Sequence, residues 1–259
     1  MTSTYQSSTE YLLADTNLNV LTIHLNRPDA LNAFRPEMLT GIAELLEQAN
    51  TDTNISVVVL EGAGRAFSAG VDLKVLRGIE PQAGKIGDVF NQPARRAYTA
   101  IRNASCPVIA KVHGACFTGA LEMALHCDFI FTTVDAKFGD THAKFGLRPT
   151  WGMSQTLSQA IGVRKAKEIS FTGRTFLGSE AVSMGLANQA AADKNALDAL
   201  VAECAAAIAR NSRPTVAAVK DLYALAQGNL SIEEALAAEL ERNYPDINDT
   251  QERLAGFGG

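Results

Sequence analysis

Glu122 stands inside an apolar run, ALEMAL at 120–125. A carboxylate among such neighbours is desolvated, which favours its neutral form and lifts its pKa toward the range where a general acid or base works near neutral pH. The plainer use of the acid is at a helix start. A capping box opened by Thr118 needs its acid three residues on, where Leu121 stands, so the box fails by one position. With Gly119 as the cap, Glu122 could still bond back to the Gly119 N–H or complement the helix dipole. Further on, Asp140 and His142 lie two apart in DAKFGDTHAKFG, 135–146. In an extended piece both side chains leave one face and the carboxylate can orient the imidazole. In a turn they are a solvated pair.

Two other constellations compete for chemistry. The loop EGAGRAFSAGVDL, 61–73, carries three glycines that let a backbone approach a ligand closely. As a dinucleotide fingerprint it has Phe67 where the third glycine belongs, and as a nucleophile elbow around Ser68 it has Ala66 in place of a glycine. A cradle of backbone N–H groups aimed at a polarised carbonyl needs neither, and an ordinary strand-to-helix turn needs only the glycines. His113, Cys116, His126 and Cys127 invite a zinc reading. Adjacent His126 and Cys127 point about 100° apart on a helix and converge poorly on one ion, so these residues are expected in the core, with no metal.

The elements that must hold these groups follow from hydrophobic periodicity. Residues 19–25 alternate as a strand and stop at the Asn26–Arg27–Pro28–Asp29 turn. Met38, Leu39, Ile42, Leu45, Leu46 and Ala49 make an amphipathic helix after Pro36, and 56–60 (SVVVL) suits a strand buried on both faces. A second strand, helix, strand unit spans 107–133 around the helix 119–126. Between the two units, 78–87 reads as a surface loop, the kind that serves as a lid beside a ligand site, and 93–103 as a helix with Arg95, Arg96 and Arg102 outward. From Met153 the chain is expected to be almost wholly helical, with Leu197, Leu200, Val201, Cys204 and Ile208, then Ile232, Leu236 and Leu240, at helical spacing. The expected class is α/β with a partly parallel sheet, a core domain over 1–195 and a C-terminal helical region over 196–259.

Composition excludes several functions. The 259 residues are 47% hydrophobic and 20% charged, enough to bury a sizeable core. No apolar run approaches the roughly 20 residues that cross a bilayer, and 1–10 is polar, so a cytoplasmic protein without a membrane partner is expected. A net charge of −5 gives no general attraction for nucleic acid. Cys106, Cys116, Cys127 and Cys204 lack paired short spacing and do not make a disulfide framework.

The stretches NRPDALNAF (26–34), RAFSAGVDLK (65–74), VHGACFTGALEMALHCDF (112–129) and AKFGDTHAKFGLRP (136–149), in this order and ahead of a helical tail, resemble the crotonase or enoyl-CoA hydratase/isomerase superfamily over nearly the whole chain. The resemblance implies a crotonase-like spiral of ββα repeats with a C-terminal helical trimerisation region, assembled as a trimer or a hexamer of two trimers. It implies an acyl-CoA thioester substrate of fatty acid metabolism, with coenzyme A entering as part of the substrate and no permanently bound cofactor. Its oxyanion hole falls on the Val71 and Gly119 N–H groups, and its CoA contacts on Arg27, Ala30, the backbone of Ala66, Ser68 and Ala69, and Lys74. Hydratases of the superfamily hold water between two glutamates. Here Glu122 matches the first and His142 stands at the second, which counts against the superfamily's usual double-bond isomerase. A hydratase then uses Glu122 to take a proton from water, with His142 placing that water or supplying the α-proton. An Asp140/His142 dyad would instead suit hydrolysis of a C–C bond of a β-diketone or of an ester. A non-catalytic acyl-CoA-binding module is the third reading.

Overall fold

The computed structural model describes residues 5–228 and 230–256; the first four residues of the polar start and the last three of the helical tail lie outside the described residues. The chain opens with a hairpin, β1 (Leu12–Asn17) against β2 (Val20–Leu25), turned at Leu18 with φ 53°. Leu21, Ile23 and Leu25 of β2 are buried, as the alternation demands. Helix α1 (Pro36–Thr51) starts at its proline and lays Met38, Leu39, Ile42, Leu45 and Leu46 into the core. Strand β3 (Val57–Gly62) is buried at every position. The short α2 (Leu73–Arg77) and α3 (Asp88–Arg102) lead to β4 (Val108–Val112), β5 (Ala115–Phe117) and α4 (Gly119–Ala124). Then come β6 (Phe129–Thr133), β7 (Lys137–Gly139), a 3-10 turn at His142–Phe145, α5 (Met153–Ile161) and α6 (Val163–Thr172). The chain closes with β8 (Phe176–Leu177), α7 (Gly178–Ser183), β9 (Gln189–Ala191), α8 (Lys194–Ala209), α9 (Arg213–Ala226), α10 (Ile232–Glu241) and α11 (Thr250–Ala255).

Six strands form one sheet in the order β1-β2-β3-β4-β6-β9, parallel from β2 onward. A second layer stacks short pieces: β5 pairs β7, β7 pairs β8, and single parallel bridges add Ser68 to Cys116 and Phe34 to Val71. Each turn of the chain thus gives one strand to the long sheet and one rung to the short layer, which is a spiral of ββα repeats. One core fills the space between the long sheet, α1, α3, α4 and α5, and a smaller one lies under α8, where Leu197, Val201 and Ala205 meet Val57, Val59, Ile109 and Phe131. At the carboxyl end of the α8 face, His24, Glu61 and Lys111 sit side by side on β2, β3 and β4. Glu61 pairs with His24 Nδ1 at 2.9 Å and with Lys111, which also reaches Asp198 of α8 at 2.5 Å. Burial works against the Glu61 charge, yet the His24 and Lys111 partners hold its carboxyl down at about 2.

The structure departs from the sequence reading in three places. β1 is an additional strand. α3 begins at Asp88, so Pro93 lies inside the helix. The region after Met153 is not wholly helical, because β8 and β9 interrupt it; strands of two and three residues carry no readable period. The 78–87 segment is a mostly exposed loop, as expected, tied down where the Arg148 N–H donates to the Gly84 carbonyl at 2.9 Å and Ile86 is buried.

Candidate active site

Helix α4 starts on a strained residue. Thr118 has φ 52° and ψ −111°, costly for a β-branched side chain, and its hydroxyl does not cap the helix. The hydroxyl instead meets Thr141 Oγ1 at 2.5 Å, so the first turn of α4 keeps free donors. No group among the described residues accepts a hydrogen bond from the Gly119 or the Val71 N–H. The loop carrying Val71 lies against this helix start. Gly70 has φ 95°, and a Cβ there would stand 2.7 Å from the Phe117 carbonyl oxygen and 3.6 Å from the Gly119 nitrogen. Only glycine fits both the angle and the space.

Glu122 is 1% exposed, and its carboxylate turns away from its own helix. Oε1 accepts from the Trp151 N–H at 3.0 Å and the Met153 N–H at 3.1 Å, which disposes of the capping use. Oε2 faces His142 Nε2 at 3.7 Å. Burial pushes the Glu122 carboxyl up to about 7, against the pull of the His142 ring and the two backbone donors. Asp140 accepts from His142 Nδ1 at 2.7 Å and from the His142 N–H at 3.2 Å. The pair therefore forms through a turn at the end of β7, and the extended geometry anticipated for it is not needed. Burial works to raise the Asp140 carboxyl, but the His142 bond and the Ser170 hydroxyl hold it below the usual carboxylate range. An Asp140 that accepts the Nδ1 proton leaves Nε2 of the neutral ring as an acceptor aimed at Glu122.

The residues expected at coenzyme A have varied surroundings. The Arg27 guanidinium donates to Asp72 Oδ2 at 3.0 Å and the Ala33 carbonyl at 2.6 Å, and lies over the Tyr11 ring. Ala30 ends a 3-10 turn, half-buried. The Ser68 N–H goes to Ala115 and the Ala69 N–H to Leu31, so these two donors are spent inside the protein. Ser68 Oγ donates to the Asn32 carbonyl at 2.8 Å and accepts from the Gly70 N–H at 3.2 Å; this hydroxyl shapes the loop and is no nucleophile poised on a base. Lys74, in the first turn of α2, is exposed. His113 and His126 are each bound to a backbone carbonyl, of Gly64 and Trp151, and no metal-binding cluster occurs among the described residues.

Three residues passed over in the sequence organise this region. Asn32, fully buried at φ 54°, accepts from the Arg27 N–H and donates to the Ala63 and Ala66 carbonyls, tying the 26–34 loop to the 61–73 loop. Trp151 and Asn91 support Glu122 from behind. Nothing in their immediate sequence marks them, and most of their partners lie tens of residues away.

The sequence profile of the enoyl-CoA hydratase/isomerase family matches residues 15–257. The chain belongs to that family. It is thereby an enzyme of the crotonase superfamily, with the fold that its spiral displays. Among curated relatives, the Arabidopsis thaliana protein named "Probable enoyl-CoA hydratase 1, peroxisomal" is 33% identical, the alignment covering 92% of this chain and 90% of the relative. An Arabidopsis thaliana Delta(3,5)-Delta(2,4)-dienoyl-CoA isomerase is 30% identical over 91% and 88% of the two chains. Among solved structures, an enoyl-CoA hydratase/carnithine racemase from Magnetospirillum magneticum superposes with a TM-score of 0.88 at 30% identity, covering 96% of this chain and 93% of the other.

Proposed function

We propose that this family member hydrates a 2-enoyl-CoA thioester, or runs the reverse dehydration, with Glu122 and His142 as its proton carriers. The observation that carries the reading is the division of labour at Glu122: Oε1 is pinned by two N–H groups while Oε2 faces the His142 Nε2 across 3.7 Å. That gap is too long for a direct hydrogen bond and suits a water that touches both groups. Glu122 takes a proton from this water as its oxygen bonds to the β-carbon, and the displaced electron pair becomes an enolate. The Val71 and Gly119 N–H groups receive the enolate oxygen, helped by the positive end of α4. With the ring entering the cycle protonated on both nitrogens, His142 gives its Nε2 proton to the α-carbon, and the proton on Glu122 then passes to the bare Nε2 to reset the pair. Asp140 keeps the Nδ1 proton in place, so that Nε2 is the nitrogen that gives and takes the proton.

Coenzyme A enters only as part of the substrate, met by Arg27, Ala30, Lys74 and the backbone of Ala66, Ser68 and Ala69, the last two through their carbonyls because their N–H groups are spent, a local basic edge on an acidic protein. No helix among the described residues is long and apolar enough to cross a membrane, and we read the enzyme as cytoplasmic. We read the C-terminal helical region, 196–259, as joining three copies or two such trimers, beside a core domain over 1–195 on which α8 packs; the exposed Tyr223, Ile232, Leu236 and Leu240 of α9 and α10 support this.

Loss of the conjugated absorbance of crotonyl-CoA or a longer enoyl-CoA tests the reaction. Glu122→Gln should abolish it, and full activity in that variant refutes the role given to Glu122. The 2.7 Å Asp140–His142 bond favours one second reading, hydrolysis of a β-diketone or ester by the dyad. Turnover of a non-thioester diketone that survives Glu122→Gln but not His142→Ala would select it. Tight CoA-ester binding with no turnover of either class would select the binding module.

A further inference from the structure

Trp151 is the only tryptophan in the chain and is 2% exposed. All three of its polar groups are engaged. Its N–H donates to Glu122 Oε1 at 3.0 Å, its carbonyl accepts from His126 Nε2 at 2.7 Å, and its indole Nε1–H donates to Asn91 Oδ1 at 3.1 Å. The ring lies across the first turn of α4, so close that a Cβ on Gly119 would stand 2.7 Å from its Cζ3. One residue thus touches both parts of the site, its backbone fixing Glu122 and its ring covering Gly119. Asn91, on α3, also accepts from Thr150 Oγ1 at 2.9 Å, so a single amide oxygen anchors two consecutive residues of the turn beneath Glu122.

We propose that Asn91 and Trp151 are positioning residues: Asn91 fixes the indole, and the indole fixes the peptide on which Glu122 Oε1 rests. A buried indole N–H deprived of its acceptor will swing to find another, and the 151–153 backbone must move with it. The donor to Oε1 then weakens, and that donor favours the ionised carboxylate. The proposal rests on the reading of Glu122 as a proton carrier, but its central test does not require turnover.

The lone tryptophan supplies that test, since its emission responds to the charge of the carboxyl beside it. In the wild-type chain a fluorescence titration should show a transition near pH 7, absent in Glu122→Gln. His142, Asp140 and His126 also face this pair, and any transition that survives Glu122→Gln belongs to them. Asn91→Leu should move the Glu122 transition upward by about one pH unit, the scale of one lost hydrogen bond to a charged group. Asn91→Leu and Trp151→Phe should each lower kcat about ten-fold with KM little changed, and the double variant should be no worse than either single one. If Asn91→Leu is unstable, Thr150→Val carries the same readout with a smaller upward shift. A midpoint and kcat unmoved in a folded Asn91→Leu or Thr150→Val, or fully additive losses, overturn the proposal. A wild-type chain inactive on every enoyl-CoA refutes the hydratase reading instead, and leaves the titration to judge Asn91.

Discussion

At the scale of single residues, Glu122 gives its two oxygens different tasks, and this has a cost in stability that can be measured. Its pKa is raised in the fold, from an ordinary 4.5 to about 7. Between those values the folded chain holds a proton the unfolded chain has lost, so the associated stability is complete below pH 4.5 and gone above pH 7. Glu122→Gln does not titrate there. Its stability relative to wild type should improve from pH 4 to pH 8 by on the order of 3 kcal/mol, measured by denaturant unfolding, while hydration falls by about three orders of magnitude. Asp140→Asn should leave the ring in place but favour the wrong tautomer, with a kcat loss of about 10²-fold or more and KM little affected; unchanged kcat would remove Asp140 from the mechanism. Of the proposed proton carriers, Glu122 was legible as a lone acid among apolar neighbours and Asp140 and His142 as two titratable groups two residues apart, while the place of His142 opposite Glu122 came from the family resemblance. Their distances were not legible, since the 139–142 turn that joins Asp140 to His142 has no pattern of its own, and the supporting Asn91 and Asn32 are recognisable only through partners far along the chain.

At the scale of elements, the site depends on a loop and a helix start being pressed together. Gly70→Ala meets both a φ of 95° and the Phe117 carbonyl at 2.7 Å, and must push the Val71 N–H away from the Gly119 N–H. We expect kcat to fall at least ten-fold while the long sheet keeps its circular dichroism; wild-type kcat would show that the Val71 donor is dispensable. Strand β3 was readable as a run buried on both faces, β4 and β6 as the strands flanking the helix of the second unit, and α1 as a clean apolar stripe. The rungs β5, β7 and β8 and the short edge strand β9 were not, because pieces of two or three residues are set by what they lie against. The long-range bonds of Asn32 make the same point: Arg27 and Ala66 were picked out singly, whereas their connection is a property of two loops in contact.

At the scale of the whole molecule, the outer face of α10 has no partner among the described residues. Leu240 is 87% exposed, Ile232 67% and Leu236 59%, a stripe at helical spacing on α10. Leu236→Glu with Leu240→Glu should convert a trimeric or hexameric species to monomer by light scattering, with the core still folded; a wild-type monomer would refute the assembly reading. The row of His24, Glu61 and Lys111 bears on the whole fold in another way. A strand that slides by one residue turns its charged member to the opposite face, among Leu60 and Ala110, and strips it of its partners. A bare ion in that setting is strongly unfavourable, while the native register neutralises all three. Replacing Glu61 and Lys111 together by Leu and Met should therefore preserve the melting temperature but lower the yield of refolding. The row acts as a proof-reading mark, letting the parallel strands close only where charge meets charge.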